Sequence, residues 1–461
     1  MRTDVVVIGG GGAGLTAAVR ASECGARVVV IDNSAALGGQ YFRHSDHTPH
    51  HVPERNIFLE WQRRLQSQID AGRVTYLSRT TVWSVSHDGE GFIVRATKGE
   101  RDKSEITLRT QRMVIATGAI DRALPYDGWT LPGNYTLGGV QSLIKGHGVV
   151  PGSRFVLGGT GPFLLAAAAS VIDAGGTVAA LVEAHTFTAM SKNPAALWAG
   201  RHKIPTAIEY LRKIRKHGTQ LITHARVIAV THDNNMLRSA QVHNRAGVKN
   251  IACDAVATGF GFSINLEIPS ALGVTLIQTL DGDAAVQVDD WQTTSHPYIF
   301  AAGETTGIAG IDAALIEGEI AGVGVARSLQ LAVPDVTTQK KVRANLHRFA
   351  KFLATSYPLE YQWVSEVADD TVVCRCEEVT AGQLRRSVHE RGVADSRSAK
   401  LFTRAGMGWC QGRQCARTCS DIVAYETGGA STFSDVAGAA KRTIINPVPL
   451  GVIASWKDDA N

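Results

Sequence analysis

The chain alternates between short apolar runs and amphipathic stretches as far as about Leu331. Residues 5–8 are apolar and β-branched, the composition of a strand buried on both faces. Residues 13–24 carry a helical pattern, and 27–31 read as a second strand. The same order returns later, with a strand at 155–157, a helix to about 174 and a strand at 177–183. Further short strands are expected at 113–116 and 300–302. Strands alternating with helices imply an α/β fold with largely parallel sheets. Two copies of a strand, glycine turn and helix imply two nucleotide-binding domains, one inserted in the other. The expected boundaries are 1–122 with 262–335 for the first domain and 123–261 for the inserted one. A charged helical stretch at 339–353 follows Val333 and Pro334 and reads as a connector spanning 336–370. A cysteine-rich helical domain is expected over 371–435, with a tail at 436–461.

Composition narrows the class. Of 461 residues, 44% are hydrophobic and 19% charged, the balance of a globular chain. A net charge of +5 and the lack of an aromatic-basic stripe argue against nucleic acid as a partner. The first residues run straight into a strand, without the basic and apolar regions of a signal peptide. The most apolar long stretch, 163–182, is rich in Ala and Gly and carries Asp173. It reads as a helix, a turn and a strand rather than a membrane span. Five of the seven cysteines crowd into the C-terminal segment, which points to metal ligation in a reducing compartment. A cytoplasmic location is expected, reaching the inner face of the membrane only through an electron acceptor.

Gly9, Gly11 and Gly14 form GxGxxG between the first strand and the first helix, and Asp32 ends the second strand 18 residues after Gly14. In such a unit the first glycine makes the tight turn, the second lets a pyrophosphate approach the backbone, and the third lets helix and strand pack closely. The helix N-terminus offers free N–H groups to phosphate, and the acid accepts from a ribose. Gly38, Gly39 and Gln40 open a second backbone approach, with Arg43 in reach of phosphate. Thr117 and Gly118 end one later strand, and Gly303 and Glu304 end another.

The second turn has Gly159 and Gly161, but Leu164 stands where the third glycine belongs. Glu183 could accept from a free 2′-hydroxyl and would repel a 2′-phosphate, so NAD or another adenosine nucleotide is favoured over NADP. A degenerate nucleotide site stays open beside that reading. No CxxC lies near these motifs, so disulfide reductase chemistry is not expected. Cys24 and Cys253 read as core thiols. The run RHSDHTPHH, with His44, His47, His50 and His51, fits no helical metal face, and Pro49 marks a loop.

Cys374 and Cys376 form CxC, and Cys410 and Cys415 follow as C-x4-C. Four thiolates are the ligand set of an iron–sulfur cluster. A CxC pair puts two sulfurs on one side of a tight loop, and Gly406, Gly408 and Gly412 can free backbone N–H groups to bond sulfur. A four-cysteine zinc site is the alternative, although zinc sites more often space their pairs by two to four residues. Cys419 lies outside the pattern. Arg385, Arg386, Arg391, Arg397, Lys400 and Arg404 between the pairs could offset an anionic cluster, or line a solvated helix face.

The ATG element and the late Gly-acid pair resemble the two-dinucleotide-binding flavoproteins of the glutathione or thioredoxin reductase type. That resemblance implies FAD in the first domain, with Glu304 on the ribityl chain and the backbone of Val82 at adenine. The segment ending in CQGRQC resembles the bacterioferritin-associated-ferredoxin-like [2Fe–2S] domain. Along nearly the whole chain, including residues 116–145 and 301–322, the sequence resembles the α-subunits of heteromeric FAD-dependent amino-acid and opine dehydrogenases. Octopine and nopaline dehydrogenase, D-hydroxyproline dehydrogenase and hydrogen cyanide synthase are of this type.

This last resemblance implies oxidation of the amine on a D-amino-acid-oxidase-like FAD β-subunit. It leaves room for an FMN at a subunit interface and for a small ferredoxin-like γ-subunit. It also implies that this chain passes electrons to a downstream acceptor, which agrees with the lack of any acid–base motif here: no catalytic residue is expected. Two other classes remain: a self-sufficient NADH:acceptor oxidoreductase, whose flavin NADH alone would bleach, and a non-catalytic iron–sulfur module without FAD turnover.

Overall fold

The computed structural model describes residues 1–44, 55–89, 91–99, 104–186 and 200–454. The first sheet has seven strands. β1 (Arg2–Ile8), β2 (Val28–Ile31) and β3 (Val74–Leu77) run parallel, in register Ile8 to Ile31 and Ile31 to Leu77. β4 (Thr80–His87), β5 (Phe92–Lys98) and β6 (Ser104–Ile115) form an antiparallel meander. β6 is long enough to serve twice: it pairs with β5, and its last residues also lie between β1 and β17 (Ile299–Ala301). Val5, Val6 and Val7 are completely buried, as a central strand covered on both faces must be. α1 (Gly12–Glu23) packs on α6 (Ile311–Ser328), and the Thr16 hydroxyl donates to the Leu315 carbonyl at 2.9 Å.

The second sheet is entirely parallel, in the order β11-β10-β9-β15-β8. Its strands are β8 (Asn134–Thr136), β9 (Arg154–Gly159), β10 (Thr177–Glu183), β11 (Gln220–Thr223) and β15 (Ala255–Gly259). α3 (Leu137–His147), α4 (Phe163–Asp173) and α5 (Ile204–Lys216) belong to this unit; α3 and α5 both pack on α4. A second antiparallel meander, β12 (Ala225–Asp233), β13 (Met236–Asn244) and β14 (Gly247–Ala252), completes it. The chain enters and leaves through β7 (Ala119–Asp121) and β16 (Phe262–Ile264), which pair antiparallel.

The stretch read as a connector is the helix α7 (Thr337–Ser356), and it is bound to the first unit along its length. Arg343 reaches Asp290 at 2.7 Å and Gln292 at 2.8 Å, and His347 meets Glu317 at 2.5 Å. The cysteine-rich segment follows as β18 (Val372–Cys374), β19 (Val379–Thr380) and three helices, α8 (Ala381–Arg391), α9 (Ser396–Thr403) and α10 (Ala416–Glu426). α8 starts at a capping box between Thr380 and Gln383, and Asp395 caps α9 through Ser398 N–H at 2.8 Å.

The chain after 435, expected as a tail, is bound to the first unit as far as Asn446. Val436, Ala437, Ala440 and Ile445 are buried in the same core as Val82, Ile264 and Val286. Ile445 N–H donates to the Trp83 carbonyl at 2.9 Å, and Asn446 Nδ2 to the Val82 carbonyl at 2.8 Å. No described helix is long and apolar enough to cross a membrane.

Candidate functional site

Gly9 sits at φ +110°, and a Cβ there would stand 2.2 Å from the Ala116 carbonyl oxygen, so the turn admits only glycine. A Cβ on Gly14 would stand 1.8 Å from the Gly9 oxygen, which is the close helix–strand approach the motif calls for. At Gly11 the nearest neighbour is Gly39 Cα at 3.8 Å. That leaves room for a phosphate between the helix N-terminus and the loop at 38–40. Asp32 is buried; its carboxylate accepts from Gly10 N–H at 2.6 Å and Ser34 N–H at 2.7 Å. Burial raises its pKa, against the pull of those N–H groups and of Arg43. Arg43 reaches across to the Ser142 hydroxyl on α3, and Gln40 is exposed. The Val82 carbonyl accepts from Asn446 Nδ2 at 2.8 Å, because the C-terminal segment folds back along β4.

The other end of the cradle lies between β6, β7 and α6. Gly118 N–H meets the buried Thr305 hydroxyl at 3.3 Å, and the Thr117 carbonyl accepts from Asn265 at 2.9 Å. Gly303 N–H and the Thr306 hydroxyl both donate to Glu317 at 2.8 Å. Beside them the Glu304 carboxylate has no hydrogen-bond partner among the described residues. Burial, with Asp121 and Glu317 nearby, pushes its pKa up to about 7. A shielded carboxylate without a partner is costly unless something bonds to it. A ribityl hydroxyl is the right kind of group, and the uncapped N-terminus of α6 follows at Ile311. The residues present therefore fit FAD. Glu317, Thr305 and Asn265 escaped the sequence reading because none lies in the glycine motifs.

The second turn differs. Gly159 pairs into β9 as Gly9 follows β1, but α4 begins only at Phe163, and Leu164 is completely buried. Glu183 is also completely buried, its carboxylate held by Gly161 N–H at 3.0 Å and His185 N–H at 3.1 Å. Burial pushes its pKa up to about 7. Tyr357, at the end of α7, packs on Gly161: a Cβ there would meet the phenol ring at 3.9 Å. The next carbonyl, Pro358, lies 2.7 Å from His185 Nε2. The chain thus covers its own second glycine turn.

The four motif cysteines converge. Thiol contacts link Cys374 to Cys415, Cys415 to Cys410, and Cys410 to Cys376. Hydrogen bonding from the Cys415 thiol lowers the pKa of Cys374 to about 6 and that of Cys410 to about 4, while Cys415, as donor to both, is pushed up. No group of three or more His, Cys, Asp or Glu among the described residues closes round a single point as for one ion. The four thiols are neighbours, a donor set suited to a small cluster. Gly406 N–H points at Cys374 Sγ at 3.5 Å, and Gly408 abuts the Cβ of Cys376.

Cys419 is buried one helical turn beyond Cys415 and touches its thiol. Of the cations between the pairs, Arg385 is turned to Glu426 at 3.1 Å and Arg404 to Glu377 at 2.8 Å. The cation acting on the thiols is Arg442, which interacts with Cys410 and Cys415 and lies beyond the expected boundary of the domain. Of the histidine run, His44 packs on Phe58; His47, His50 and His51 lie outside the described residues.

The two centres share a buried seam. Arg122, next to Asp121, pairs with Asp421 of α10 at 2.7 Å. Arg417 also holds Asp421, at 3.0 Å, and the Thr418 hydroxyl donates to the Ala123 carbonyl at 3.3 Å.

Two dinucleotide-binding units joined by an antiparallel strand pair, with a thiol-rich helical domain docked at the junction, define a flavin oxidoreductase with an attached cluster domain. The chain belongs to the pyridine nucleotide-disulphide oxidoreductase family, whose model matches residues 3–328, and residues 372–425 match the BFD-like [2Fe-2S] binding domain. It is 32% identical to an opine oxidase subunit of Agrobacterium tumefaciens (strain Ach5), over 98% of this chain and 91% of that one. It is 29% identical to the hydrogen cyanide synthase subunit HcnB of Pseudomonas aeruginosa, over the full length of both. Among solved structures, L-proline dehydrogenase from P. horikoshii superposes with a TM-score of 0.72 at 19% identity, covering 98% of this chain and 79% of that one. Thioredoxin reductase from T. acidophilum has a TM-score of 0.54 at 22% identity, covering 71% and 99%. These likenesses bear out the expected fold class and family.

Proposed function

We propose that this chain is the electron-relaying α-subunit of a heteromeric dehydrogenase that oxidises an amino acid, imino acid or opine on a partner chain. The observation that carries this reading is the seam at Arg122 and Asp421, which fixes the cluster helix against the flavin end of the first domain. The relatives named above are themselves subunits, of opine oxidase and of hydrogen cyanide synthase. A D-amino-acid-oxidase-like β-subunit, a cytoplasmic acceptor at the inner membrane face and a small ferredoxin-like γ-subunit complete the proposal.

When bound, FAD would supply the step from two-electron to one-electron chemistry, and the cluster would carry single electrons. The chain's own residues do the rest. Gly9, Gly11, Gly14 and the start of α1 would seat the pyrophosphate, Asp32 the ribose, and Glu304 the ribityl chain. Gly118 and Gly303 are held in place by Thr305 and Glu317. Cys374, Cys376, Cys410 and Cys415 would ligate the cluster. No side chain is assigned to proton transfer, in keeping with oxidation of the substrate on another chain.

A stand-alone NADH oxidoreductase is the second reading, and Tyr357 over Gly161 speaks against it. Purification of the complex from the native source tests the proposal. The expected outcome is a flavin-containing amine-oxidising chain in the complex, with dye-linked turnover of an opine, D-hydroxyproline or glycine only when both chains are present. Turnover of these amines by the single chain would overturn it.

A further inference from the structure

The BFD-like domain has an inner and an outer side. Cys374 and Cys415 are buried, and Cys415 leads into α10, whose Thr418 and Asp421 grip Ala123 and Arg122 of the flavin-binding unit. Cys376 is exposed and Cys410 half-exposed. Around this outer edge stand four uncovered apolar side chains: Leu401 at 70% exposure, Phe402 at 62%, Met407 at 37% and Trp409 at 82%. They lie within nine residues of one another, 401–409, in the stretch that leads to Cys410. Gly408, between Met407 and Trp409, lies against Cys376, and Trp409 directly precedes Cys410. Arg404, just after α9, binds Glu377 next to Cys376, which ties α9 with Leu401 and Phe402 to the same place. Four large apolar groups held in water around a thiol are unusual on a free surface and mark a contact.

The charges beside the patch select the partner. Exposed cations of this domain are Arg375, Arg386, Arg391, Arg397 and Lys400, with Arg404 already paired to Glu377, against the exposed carboxylates Glu378, Glu390 and Asp395. Arg397 and Lys400 share the short helix α9 with Leu401 and Phe402. An apolar centre with an aromatic anchor and a basic rim fits an acidic protein surface.

We propose that this patch is the docking surface for an acidic one-electron carrier protein, which takes electrons from the outer edge of the cluster. The step is transfer of one electron from the reduced [2Fe–2S] centre to the oxidised carrier; the centre is oxidised, the carrier reduced, and no bond or proton changes place. Electrons would then enter on the Cys415 side and leave on the Cys376 side. This inference rests on the relay reading above.

The test uses the complete, cofactor-loaded complex and an acidic [2Fe–2S] ferredoxin as probe, with basic cytochrome c as control. Binding is read by titration at low and high ionic strength. The expected result is ferredoxin binding that weakens with salt and is weakened about tenfold or more by Trp409→Ala and by Lys400→Glu. The cluster absorbance and the assembly with the amine-oxidising chain should be unchanged in both variants. Absence of ferredoxin binding, tighter binding of cytochrome c, or variants that bind as the wild type does would overturn the proposal. Failure of the variants to assemble would also overturn it, because the patch would then be an internal interface. A complex that assembles and turns over but ignores these substitutions defeats this inference and leaves the relay reading standing; a single chain that oxidises amines alone defeats the relay reading itself.

Discussion

Arg122 and Asp421 form an ion pair of 2.7 Å across 299 residues of sequence, with side-chain exposures of 4% and 0%. Asp421 is bonded on its other oxygen by Arg417 at 3.0 Å and the Ser431 hydroxyl at 2.7 Å. A buried carboxylate so fully satisfied anchors the cluster domain only while each partner is present. Arg122→Ala should therefore cost about 1–3 kcal/mol, because Asp421 keeps Arg417 and Ser431 but loses one charged hydrogen bond. Chemical denaturation would measure it. Replacing Asp421 as well should recover little of that loss, because Arg417 and Ser431 would lose their carboxylate, and it should slow electron passage if the seam sets the geometry. A loss below about 1 kcal/mol for the single variant would mean that water reaches Asp421.

Gly11→Val tests the flavin cradle without breaking the fold. Gly11 has φ −71°, which valine tolerates, and its Cβ would find nothing closer than Gly39 Cα at 3.8 Å. The side chain would instead fill the space left for the pyrophosphate. The variant should fold as the wild type by circular dichroism and purify without yellow colour. A folded variant with a full complement of flavin would show that the phosphate path runs elsewhere.

That cradle was legible because its parts are local: Gly9, Gly11, Gly14 and Asp32 lie within 24 residues and follow from strand and helix geometry. The four cysteines stood out for the same reason, as two tight pairs. The partners that hold these sites came from far along the chain. Nothing in the sequence around Asp421 says that its carboxylate will meet Arg122, and nothing near Asn446 says that it will reach Val82. The stretch from 436 carries no motif and was read as a tail, although Val436, Ala437, Ala440 and Ile445 bury it against the first sheet. Tyr357 was read as part of a connector, and only the packing of α7 shows it covering Gly161.

NADH should reduce the isolated chain poorly. Tyr357 packs on Gly161, where the pyrophosphate would cross the turn, and Leu164 stands in the third-glycine position. Tyr357→Ala should open the turn and raise the affinity for ADP or NAD about tenfold or more, as removal of a competing aromatic contact implies. Calorimetric titration of both proteins decides it, and stopped-flow measurement gives the rate of flavin bleaching. Fast bleaching of the wild type at micromolar NADH would favour the stand-alone reductase. Equal nucleotide binding by wild type and variant would show that Tyr357 moves aside at no cost.

The cluster assignment can be separated ligand by ligand. Cys374, Cys376, Cys410 and Cys415 form the row of touching thiols, and Gly406 N–H faces one of them. Cys419 touches the Cys415 thiol and lies within the buried face of α10. Cys410→Ser should therefore remove the visible iron–sulfur absorbance, whereas Cys419→Ser should keep it. FAD should stay bound in both, because the glycine turn at Gly9 and the pair Gly303 and Glu304 share no residue with the thiol row. In the assembled complex Cys410→Ser should stall the relay after the flavin, so that substrate leaves the flavin reduced. Iron and sulfide analysis gives the count, expected at about two of each per chain for a [2Fe–2S] centre. One zinc per chain and no sulfide, in protein prepared without air, would replace the relay by a structural metal. Loss of colour in Cys419→Ser with retention in Cys415→Ser would move the fourth ligand one turn along α10, a shift that the contact between these two thiols makes sterically feasible.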